Sequence, residues 1–71
     1  MSDVSYCKPK NMSELKEKIT SMVEGDVVHF MAGNLSFSTV RLIFGNVKVA
    51  MSDRGYMSKK LGDTLVVCRY A

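Results

Sequence analysis

Thr39-Val40-Arg41-Leu42-Ile43-Phe44-Gly45-Asn46-Val47-Lys48-Val49-Ala50-Met51 is the stretch on which the fold turns. Its first half is rich in β-forming residues. Gly45-Asn46 at its centre has the composition of a two-residue hairpin loop. Folded about that loop, Phe44 faces Val47, Leu42 faces Val49 and Val40 faces Met51. Strand side chains alternate, so these six share one face. Arg41, Lys48 and Ile43 fall on the other. The reading is a β-hairpin, with strands over about 35–44 and 47–52.

The same residues admit a rival. Phe37, Val40 and Phe44 lie on one side of a helix over Phe37–Phe44. Residues 47–57 then form a recognition helix and Tyr56–Tyr70 a wing, as in a winged helix-turn-helix DNA-binding regulator. Against it stand the β-formers of Thr39–Phe44 and the helix-weakening pair Gly45-Asn46. With Gly45 as the turn glycine, Arg41 also stands where that motif takes a small residue, and Asn46 where it takes an apolar one.

Upstream, one helix is plain over about 11–24. Asn11 is an N-cap and Glu14 lies three residues on, as in a capping box. Met12, Leu15, Ile19, Met22 and Val23 make one apolar stripe. Gly25 ends it. Residues 1–10 read as an extended arm, with Pro9 holding Lys8 out of helix. After Gly25, strands are expected at about 26–32, 56–60 and 64–70, separated by the turns Gly33-Asn34, Asp53-Arg54-Gly55 and Gly62-Asp63. The fold class is α+β, mainly β: an N-terminal helix, then a five-stranded, strongly bent antiparallel sheet, in one domain over 11–71.

Seventy-one residues make one domain, and a chain this short gains from self-association. Residues 36–71 carry six bases against two acids, residues 1–35 four against five. A basic half suits a polyanion. Cys7 and Cys68 are expected as reduced thiols, although one disulfide between them is compatible with the sequence. With His29 the only histidine, no zinc site is expected within one chain, and no cofactor. His29 falls inside a strand with no nucleophile patterned beside it, and the five glycines stand singly at turns. No enzyme is expected. The first residues lack a signal-peptide pattern and no apolar run spans a bilayer, so the expected place is the cytoplasm.

Two stretches resemble motifs of the Sm/LSm-like family. Phe44-Gly45-Asn46-Val47-Lys48-Val49 is similar to the end of its first motif. Lys60-Leu61-Gly62-Asp63-Thr64-Leu65-Val66-Val67 is similar to its second. Leu42 replaces the acidic residue of that pattern, and Leu61 separates Lys60 from Gly62. The resemblance implies a small open barrel, a homo-oligomeric ring, and single-stranded RNA or DNA as partner. It implies base and phosphate contacts from Phe44, Asn46, Lys48, Lys59, Lys60, Gly62 and Asp63. The ring interface would be formed by Tyr56, Thr64, Leu65, Val66 and Val67, since an uncharged edge strand invites pairing. A protein-interaction module or inhibitor without nucleic acid contact is the third function class that the sequence leaves open.

Overall fold

The computed structural model describes residues 4–71; the first three residues of the expected arm lie outside them. The chain runs β1 (Val4–Cys7), α1 (Met12–Thr20), β2 (Val27–Met31), α2 (Phe37–Ala50), β3 (Tyr56–Leu61) and β4 (Thr64–Arg69). The four strands form one sheet in the order β1-β2-β4-β3. β1 is parallel to β2, and the other two pairings are antiparallel. Both helices contribute to a single core on one face of that sheet.

The five-stranded antiparallel barrel is therefore not what the chain forms. The arm is in part a strand, β1, and Pro9 is buried in the crossover that leaves it. The expected hairpin over 35–52 is one helix, α2, which runs unbroken through Gly45-Asn46. No separate recognition helix follows either, since α2 already holds residues 47–50. The last two strands do form, joined by Gly62-Asp63 with Gly62 at φ +60°. A positive φ at the first loop position alone is the type II′ pattern, which matches the twist of a hairpin.

The helix prevails at residues 37–50 because of what its stripe can bury. Val40, Phe44 and Val47 recur at the spacing of a helix face and all lie in the core, with Met51 packed against it. Phe44 meets the Tyr56 ring edge-on at 6.1 Å. Ser36 caps the helix, accepting from the Thr39 amide at 3.2 Å. A glycine in mid-helix costs only about 1 kcal/mol, less than burying two or three large apolar side chains returns at roughly 1.5–3 kcal/mol each. Leu42 and Val49 separate the two readings. The hairpin register would have buried them, whereas the helix leaves them 63% and 78% exposed.

Helix α1 begins as its sequence indicates, with the Asn11 side chain accepting from the Glu14 amide at 2.8 Å. It ends near Thr20, short of Glu24. The hydroxyls of Thr20 and Ser21 donate back to the Glu17 and Lys18 carbonyls there. The carbonyls freed at this end are met by side chains from distant segments. Tyr56 Oη donates to Ile19, Arg54 Nη1 to Thr20 and Arg69 Nη1 to Met22, at 3.1, 2.8 and 2.8 Å. These bonds tie α1 to the hairpin strands and fix the helical layer over one sheet face.

Candidate interaction surfaces

Among the described residues, no helix lies over the other sheet face. Alternation places Tyr6 of β1, Val27, His29 and Met31 of β2, Thr64, Val66 and Cys68 of β4, and Met57, Lys59 and Leu61 of β3 on that side. The inward positions, Val28, Phe30, Leu65, Val67 and Tyr56, are buried under the helices. The two central strands read Val27-Val28-His29-Phe30-Met31 and Thr64-Leu65-Val66-Val67-Cys68. Such near-continuous apolar runs belong to strands covered on both faces. Within the described residues, the chain covers one.

This open face is also nearly without charge. Lys59, on edge strand β3, is its only lysine or arginine, and no aspartate or glutamate lies on it among the described residues. Tyr6 and His29 stack at its β1 side, with ring centroids 4.8 Å apart and planes tilted by 44°. Cys68 is on this face, opposite Val27, whereas Cys7 points inward beside Phe30, so the two thiols stand on opposite sides of the sheet. Both cysteines are free. Burial pushes the Cys7 thiol up; Lys18 opposes this and Glu14 adds to it.

A second surface runs along the solvent side of α2. Phe37, Ser38, Arg41, Leu42, Gly45, Asn46 and Val49 line a shallow groove of about 630 Å³. The helix carries Arg41 and Lys48 and no acid at all. Lys60 reaches in from β3, its ammonium 5.0 Å from the Phe37 ring centre. A third hollow, about 500 Å³, is polar and lined by Tyr6, Cys7, Glu14, Glu17, Lys18 and Ser21. Among the described residues no three histidine, cysteine, aspartate or glutamate side chains gather as for a metal. No described helix is long and apolar enough to cross a membrane.

The residues singled out from sequence are distributed over several surfaces. Phe44 is buried, with its ring spent on Tyr56. Asn46 and Lys48 are exposed on α2. Lys59 and Lys60 alternate on β3, so Lys59 is on the open face and Lys60 on the helical side. Gly62 and Asp63 form the hairpin loop. Tyr56, Leu65 and Val67 are core residues. β4 is an interior strand with both edges hydrogen-bonded within the chain, so only Thr64 and Val66 present themselves outward, and they do so from a face.

Sequence reasoning weighed His29 only as a catalytic or metal-binding residue, and it passed over Tyr6, Met31 and Met57, which build the open face with it, and Leu42 and Val49, which build the α2 stripe. A signal for the first set was present. Val27 and Met31 are as apolar as Val28 and Phe30 between them, which a half-solvated strand has no reason to be. Compared with known protein families, curated proteins and solved structures, the chain matches none.

Proposed function

We propose that this chain is a protein-interaction module that works as a pair. Two copies pack through the open faces of their sheets, and each holds the outer stripe of α2 toward an acidic, partly apolar segment of another protein. The observation that carries the reading is the apolar, almost uncharged sheet face opposite the helices. Water against Tyr6, Met57 and Leu61, 67%, 61% and 51% exposed, is a cost that a second layer removes.

A second copy suits the face for three reasons. A sheet face can be self-complementary about a twofold axis, which closes the assembly at two. Four strands about 4.8 Å apart, each about five residues of roughly 3.4 Å, span a face of some 18 by 18 Å. The two faces total about 650 Å² in projection, and the relief of their side chains brings the accessible surface removed toward the roughly 1,000 Å² that a specific interface needs. A chain of 71 residues also gains the larger core that it cannot build alone.

The α2 stripe favours protein over nucleic acid. Its exposed large apolar members, Leu42 and Val49, are aliphatic, and its one aromatic, Phe37, is half-buried under Lys60. Sites for single-stranded nucleic acid instead pair basic residues with open aromatic platforms. Arg41, Lys48 and Lys60 around an aliphatic centre match a segment that brings carboxylates beside apolar side chains.

Sedimentation velocity across a concentration series tests the pairing. The parent is expected to shift from one copy to two as concentration rises. Val66→Lys, which sets a charge in the middle of the face, is expected to stay single while keeping the parent's circular dichroism. A folded Val66→Lys protein that pairs as the parent does refutes the interface.

A further inference from the structure

Among the described residues, His29 is the one side chain of the open face whose type can gain a charge in mild acid. It stands on β2, beside the middle of the sheet, opposite Val66 of β4. We infer that His29 makes the pairing of two copies sensitive to pH, the pair holding near neutrality and coming apart in mild acid. The inference rests on the sheet-face pairing proposed above.

The surroundings decide the direction. From β1, His29 faces the Tyr6 ring at 4.8 Å. From β4 it faces Val66, with Thr64 and Cys68 diagonal to it on the same side. From β3, Lys59 lies beyond Val66, which it opposes. The helices pack behind the sheet, and from α1 the Glu14, Glu17 and Lys18 side chains line a hollow with Tyr6 at the β1 edge. A second copy brings the same set again. Among the described residues no carboxylate lies beside His29 on this face. Glu14 and Glu17 stand off at the β1 edge together with Lys18. The fixed charge on the face itself is Lys59, which repels an imidazolium.

Closing a second sheet over this face takes the imidazole out of water, which favours its neutral form. Binding a proton and pairing therefore oppose each other. The affinity is greatest where the imidazole is neutral and falls as acid protonates it. Each pair contains two such groups, so the dissociation constant rises by at most about a hundredfold per pH unit, tenfold for each imidazole.

The experiment is sedimentation equilibrium of the full chain between about pH 7.5 and about pH 5.5, on either side of the imidazole range. It is run on the parent, His29→Leu and His29→Gln, with circular dichroism at each pH to show the fold intact. The parent is expected to dissociate progressively toward the acid end while staying folded. Either folded variant is expected to keep the affinity it has at neutral pH. If the parent pairs equally at both ends, or if the variants weaken as it does, the inference falls and the pairing stands. If the parent is a single copy at every pH and concentration, the pairing itself falls, and the inference with it.

Discussion

Tyr56 joins three parts of the molecule through one side chain. Its ring packs on Phe44 of α2, its hydroxyl donates to the Ile19 carbonyl at 3.1 Å, and the same oxygen accepts from Arg54 Nη1 at 3.1 Å. The carbonyl it serves is at the end of α1, where the Met22 amide also donates to it, at 3.3 Å. Tyr56→Phe keeps the ring and removes the hydroxyl, so it isolates that bond. A loss of about 0.5–1.5 kcal/mol in urea unfolding is expected, because one buried hydrogen bond is lost while the carbonyl keeps the Met22 amide. An unchanged midpoint would mean that water replaces the phenol there. Gly45 is expected to act in the opposite direction. It is helical, and a Cβ added to it meets nothing within 4 Å. Gly45→Ala is expected to raise stability by up to about 1 kcal/mol. A loss on this substitution would show that α2 is not continuous through Gly45.

At the scale of elements, α2 is the segment where local preference and tertiary burial disagree. Val40, Phe44, Val47 and Met51 suit a strand by type and a helix by spacing. Six apolar residues placed symmetrically about Gly45-Asn46 satisfied a hairpin register as well. What decided was a partner surface that no local pattern contains: α1 and the sheet, assembled from residues 15–30 and 56–67. α1 was legible because its cap, stripe and closing glycine agree with one another. The hairpin at Gly62-Asp63 was legible because its turn chemistry is specific. Of the candidate site, the apolar character of β2 was in plain view, but its two faces mean nothing until the helices are known to cover one. The α2 stripe was invisible for the same reason, since Leu42 and Val49 had been spent on a core that does not form. The stripe can now be tested. In an NMR titration, an acidic amphipathic peptide is expected to shift the amides about Leu42, Gly45 and Val49. A peptide with its carboxylates neutralised is expected to shift them less. Shifts with single-stranded RNA and none with the acidic peptide would turn the reading back toward nucleic acid.

For the whole molecule, an open apolar face makes stability a function of concentration. Pairing stabilises only the folded state, so the melting temperature of the parent is expected to rise with protein concentration and that of Val66→Lys to stay constant. The two thiols give a local readout of the same event, because they stand on opposite faces of one sheet. Cys68 is on the face that closes. Cys7 is on the helical side, half-buried at a polar hollow, where partial burial pushes its thiol above the usual value. Alkylation with a small reagent, followed by mass spectrometry of the fragments, separates them. Cys68 is expected to react readily in dilute protein and to become protected as concentration rises. Cys7 is expected to react at a rate that does not change with concentration, because its side of the sheet is not the one that closes. Val66→Lys is expected to leave Cys68 reactive throughout, because its face never closes. Protection of both thiols together would point to a general change in the fold. Protection of neither, in a sample that sedimentation shows to be paired, would move the interface off the sheet and onto another surface, of which the α2 stripe is the next most apolar.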